Sequence, residues 1–165
     1  MKINHSDPVE IINNLIETCN NCKNTFSAAE KAGESDLKYL FSFYSLQCSK
    51  FAEELINELI RSGEVAPKKA EQLNENSDSG LSLRGSHRQS ILGECEKWQY
   101  IAVREYDYAL SMGLPCTARE IIKRQNKEVQ ETYNWIRDLR NAAALTERGL
   151  KNVPAQRLQP AYLSK

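Results

Sequence analysis

Two of the residue types that ligate metals or attack substrates are few in this 165-residue chain, which has five cysteines and two histidines. The cysteines are Cys19, Cys22, Cys48, Cys95 and Cys116. Cys19-Asn20-Asn21-Cys22 has the C-x-x-C spacing of metal and redox sites. Together with Cys48 and Cys95 it would offer four soft sulfur ligands, suited to zinc or copper(I). Redox use would need an exposed thiol of low pKa, typically at a helix N-terminus. Within a continuous helix, C-x-x-C places both sulfurs on one buried face, where free cysteine packs as a small apolar residue. Core packing is therefore the favoured reading of these four; Cys116 is the thiol best placed to react, but a hydrophobic staple with Ile121 is its expected role.

The histidines exclude more. A dinuclear centre between the helices of a bundle takes a Glu from each of two helices and a Glu-x-x-His from each of the others. The only histidines are His5 and His87, and Lys2 and Arg84 stand three residues before them. No Glu-x-x-His occurs. A carboxylate-only site from Glu17, Glu54, Glu94 and Glu131 is conceivable, but solvated charges on helix flanks are the simpler account. No glycine-rich phosphate loop is present, and no serine has a credible histidine base. The expectation is no catalytic residue and no resident cofactor, with metal binding as the alternative.

The elements that would position these residues read as four long helices. Apolar and small residues recur every three or four positions. The first stripe runs Ile12, Leu15, Cys19, Cys22, Phe26, Ala29, and the second Leu37, Leu40, Tyr44, Cys48, Phe51, Leu55, Leu59. The third runs Ile91, Cys95, Trp98, Ala102, Tyr106, Ala109, and the fourth Ile122, Gln125, Val129, Thr132, Ile136, Leu139, Ala143. The spacing predicts helices over about 8–32, 36–62, 87–112 and 118–148. Capping patterns are expected at Asp7-Pro8, at Ser86 through Gln89 and at Thr117 through Glu120. No segment alternates with strand period, so the fold class is all-α.

Connection lengths then predict topology. Turns of about three and four residues force two antiparallel hairpins. The connection at 63–86 is long enough to cross the bundle, the arrangement of ferritin-like folds. Residues 1–148 are expected to form the bundle. Residues 149–165 form a tail with three basic and no acidic residues.

Several stretches carry a resemblance: Leu15-Ile16-Glu17-Thr18-Cys19, Phe51-Ala52-Glu53-Glu54-Leu55, Ile91-Leu92-Gly93-Glu94-Cys95-Glu96, Tyr106-Asp107-Tyr108-Ala109-Leu110, and Val129 through Leu139. From about Pro8 to Arg140 the chain resembles a family of uncharacterised bacterial proteins, a domain of unknown function with a ferritin-like four-helix bundle. The resemblance implies that polar positions facing the bundle middle are Lys23, Gln47, Gln99 and Tyr133. These are an amine, two amides and a phenol, a poor set for neutralising two metal ions.

Composition narrows the partners. Lys plus Arg and Asp plus Glu each number 22, so the formal net charge is zero. That balance argues against a dedicated nucleic-acid binder. No apolar run approaches a membrane span. An odd cysteine count without a secretory signal points to a reduced cytoplasmic protein. Aromatics are abundant on the second to fourth helices, and some must lie off the core stripe; such residues can line a ligand pocket or a protein interface, but a wide core stripe is the favoured account. The expectation is a non-enzymatic structural or interaction module and a homodimer, with no nucleic-acid or membrane partner. The alternatives are a metal-binding protein and a small-molecule binder using the polar bundle middle.

Overall fold

The computed structural model describes residues 7–64, 83 and 86–148. These form four helices: α1 (Pro8–Ala32), α2 (Ser35–Arg61), α3 (Arg88–Ser111) and α4 (Cys116–Glu147). The described residues include no strand. Most of the 63–86 connection and the whole 149–165 tail lie outside the described residues, as does His5.

Local chemistry sets the ends of α1. Asp7 accepts a hydrogen bond from the Val9 N–H at 3.1 Å, and Pro8 fills a first-turn position that has no need of an N–H. At the other end Gly33 donates to the Ala29 carbonyl at 2.7 Å. A Cβ on Gly33 would sit 2.7 Å from that same oxygen and 3.1 Å from the Phe41 ring, so only glycine lets the turn close this tightly. After α2, Gly63 takes φ +84°, the left-handed region open to glycine.

Two expected caps differ. Neither His87 before α3 nor Pro115 before α4 caps with a side chain, and α4 starts two residues early, at Cys116. Thr117 lies inside the first turn, and its hydroxyl is used by α2 instead. The turn between α3 and α4 is secured from α4: Arg119 donates to the carbonyls of Leu110 at 2.9 Å and Met112 at 2.6 Å. These carbonyls at the end of α3 would otherwise lack intrahelical partners.

α1 packs against α2 and α3; α4 packs against α3 and more sparingly against α2. The core is one cluster drawn from all four helices, joined by Leu83 of the connection. Its aromatic end is built by Phe26 against Phe41 and Tyr44, with Trp135 against the far side of Tyr44 at 5.7 Å between centroids. On α3 the inward position is Gln99 rather than its neighbour Trp98. Trp98 is half-buried and donates its indole N–H to Glu94 at 3.1 Å.

Candidate functional site

Four polar side chains, one from each helix, form a hydrogen-bonded chain that runs from the interior toward the surface. Tyr106 of α3 donates its phenolic proton to Oε1 of Gln125 on α4 at 2.7 Å. With that proton committed, the contact between Tyr106 Oη and Cys19 Sγ of α1 at 3.3 Å is made by the thiol donating to the phenol. Gln125 turns its amide group to α2, donating to Glu54 Oε2 at 2.7 Å and to the Phe51 carbonyl at 3.3 Å. The chain ends at the surface, where Arg124 donates to the same Glu54 oxygen at 2.7 Å. Partial burial pushes the Glu54 carboxyl up. The hydrogen bonds from Arg124 and Gln125 and the Arg124 charge outweigh that, leaving it below the usual carboxylate range.

Cys19, Cys22, Cys48 and Cys95 are all buried and free. Burial pushes Cys19 up to about 12. A hydrogen bond with Cys22, together with burial, pushes Cys48 well up, and burial does the same to Cys95. Cys22 also bonds the Trp98 carbonyl at 3.5 Å. Cys19, Cys48 and Cys95 are thus protonated core thiols, the reverse of the thiolate that nucleophilic or metal chemistry requires. Tyr106 is held above its ordinary value chiefly by the same burial. Cys116 is exposed, which removes it from the hydrophobic staple expected of it.

The carboxylates do not converge. Glu17 and Glu131 are exposed, Glu94 accepts from Trp98, and Glu54 is bound to Arg124 and Gln125. His87 is exposed at the start of α3, beside an open cleft of about 410 Å³. Its neighbour Arg88 is committed to Glu34 and Asp36 at 3.0 and 2.9 Å. Among the described residues, no group of three or more His, Cys, Asp or Glu side chains is placed to hold a metal ion. The residues present therefore do not fit the dinuclear centre that many four-helix bundles carry.

The four middle polar positions occupy separate places. Lys23 is half-buried, and its carbonyl accepts from Ser45 of α2 at 3.3 Å. Gln47 lies at the α2/α4 seam, donating to Glu128 at 2.8 Å and accepting from Thr132 at 3.5 Å. Tyr133 lies at the α3/α4 seam, 6.0 Å from the Tyr100 ring and beneath Arg137. Gln99 is 2% exposed, and its buried Oε1 has no hydrogen-bond partner.

Sequence reasoning missed Glu58, a carboxylate buried between α2 and α4. It accepts from Arg61 at 2.7 and 3.0 Å and from Thr117 at 2.8 Å. These bonds, that from Arg61 foremost, hold its carboxyl below the usual range against the opposing effect of burial. The available signal was a Glu placed directly before stripe residue Leu59 with an Arg three positions on.

Among the described residues no helix is long and apolar enough to cross a membrane. No known protein family matches the chain, and no curated protein matches it.

Proposed function

We propose that the chain is a ferritin-like four-helix bundle of the uncharacterised bacterial family it resembles. In this reading it serves the cytoplasm as a structural or interaction module rather than as an enzyme, and works as a homodimer.

Contact register supports the topology. Between α1 and α3, Cys19 meets Tyr106 and Cys22 meets Trp98, so one number rises as the other falls. Between α2 and α4 the pairs are Gln47 with Glu128, Glu54 with Gln125, and Glu58 with Thr117. Arg88, which opens α3, reaches Asp36 at the start of α2. This register favours antiparallel hairpins with α2 and α3 parallel, the arrangement that a long crossover serves. About 22 extended residues reach ~73 Å, against ~40 Å for a helix the length of α2.

The observation that carries the functional reading is the chain from Cys19 through Tyr106 and Gln125 to Glu54. It takes one side chain from each helix and satisfies them with one another, in the space where a bundle would build a ligand-binding centre. A buried polar chain of this kind fixes helix register. Thermal unfolding tests the reading. Iron, manganese, zinc or copper(I) at a hundredfold excess should leave the midpoint unchanged, whereas specific binding at 100 times Kd adds about 2.7 kcal/mol. A rise in midpoint that Glu54→Gln or Cys22→Ala abolishes would replace this reading with the metal-binding one. One observation favours the small-molecule alternative: the unpartnered Oε1 of Gln99, which could accept from a polar ligand.

A further inference from the structure

Three of the seven exposed large apolar side chains among the described residues share one face of α2. Tyr39 is 79% exposed, Phe43 46% and Leu46 69%. Their spacing of four then three is that of a coiled-coil seam, and continuing it reaches exposed Asp36 on one side and exposed Lys50 on the other. Alongside this face, between α2 and α4, lies a groove of about 250 Å³ lined by Phe43, Tyr44, Gln47, Glu128, Glu131 and Thr132. It offers an aromatic floor and the exposed Glu131 at its rim.

We propose that this face pairs with its counterpart on a second copy of the chain, α2 against α2 and antiparallel, about a two-fold axis beside Phe43. The inference rests on the module reading and names the partner. Three features of the face fit itself. A residue seven before Phe43 meets one seven after, so each Asp36, which shares Arg88 with Glu34 and so leaves one negative charge in excess there, faces the second copy's Lys50 about 10 Å from the axis at 1.5 Å per residue. Tyr39, four before Phe43, meets Gln47, four after, at the mouth of the groove. A tyrosine has an apolar ring for the Phe43 and Tyr44 floor and a hydroxyl that can donate to Glu131. The knob and the hole belong to the same surface, as a two-fold interface requires. A foreign partner would need this same pattern, whereas a second copy carries it by identity.

Light scattering on the full chain at about 100 μM is the first test, with a mass twice 18.8 kDa expected. Leu46→Glu should return the mass to 18.8 kDa with an unchanged helical circular dichroism spectrum, since Leu46 makes no core contact. In a Cys116→Ser background, Phe43→Cys lies on the axis and should oxidise to a covalent dimer, whereas Tyr108→Cys should not. Tyr39→Phe and Glu131→Gln should each weaken dimerisation about a hundredfold, since the two-fold axis repeats a bond worth about tenfold, and together no more than either alone. A monomer at this concentration overturns the inference. So does a dimer that survives Leu46→Glu and gives no Phe43→Cys cross-link, although that outcome leaves the module reading standing on another face. Stoichiometric bound metal would instead overturn the module reading without altering either dimer assay.

Discussion

Tyr106 donates its phenolic proton to Oε1 of Gln125 at 2.7 Å, so one bond ties α3 to α4 and orients the amide that reaches α2. Tyr106→Phe strips this bond and the one from Cys19, leaving two buried groups unpaired. We expect a loss of about 1–3 kcal/mol in urea unfolding. Gln125→Leu should cost at least as much, since it also takes one of two donors from Glu54. In a double-mutant cycle the two should couple by about 0.5–3 kcal/mol. Additive losses would show that the pair does not act as one unit.

Glu58 carries the acid sensitivity, with Glu54. Both carboxyls sit below their ordinary range in the folded chain. The unfolded chain therefore binds protons first as pH falls. Their stabilisation is complete above about pH 4.3, the ordinary glutamate value, and drains away as pH drops through the lower folded values. Thr117→Val removes one donor to Glu58 and should cost about 1–2 kcal/mol at pH 7. It should also flatten the acid limb of a stability-versus-pH curve, because Glu58 moves back toward its ordinary value. An unchanged limb would put the acid sensitivity elsewhere.

The thiols set the alkaline limit. Cys19 holds its proton to about 12 in the folded chain, and Cys48 and Cys95 are raised as well. An unfolded thiol ionises near 8.5, so their contribution is complete below that pH and is lost as pH rises toward the folded values. Each such thiol costs about 1.4 kcal/mol per pH unit in that window. Replacing Cys19 with Ala or Ser should shallow that alkaline slope.

Reactivity follows from the same burial. Of the five cysteines only Cys116 is exposed. A thiol reagent at pH 8 should modify Cys116 promptly and the other four only after denaturant is added. Rapid native modification of Cys22 or Cys48 would contradict the packing described.

The helices were legible because their stripes repeat over many turns, and the histidine argument needed only a count and a spacing. The departures share a cause. At the start of α4, Thr117 reads locally as a cap, but Glu58 and Arg61 of α2 claim its hydroxyl, a partner about sixty residues away. On α3, Trp98 reads as the core residue, yet Gln99 is the buried one and Trp98 turns partly outward to Glu94. Gln125 and Thr132 were visible as polar residues on an apolar stripe. Their partners were not, because the chain through Tyr106 exists only once α1 and α4 both flank α3. The resemblance grouped Lys23, Gln47, Gln99 and Tyr133, but periodicity could not say that they serve different seams.

The central claim is that the bundle interior holds helices together rather than a reactive centre. Elemental analysis of the chain purified without chelator tests it most directly. The account predicts less than about a tenth of an equivalent of iron, manganese, zinc or copper per chain. One or two equivalents, lost on replacing Glu54 and Glu94 or Cys19 and Cys22, would contradict it.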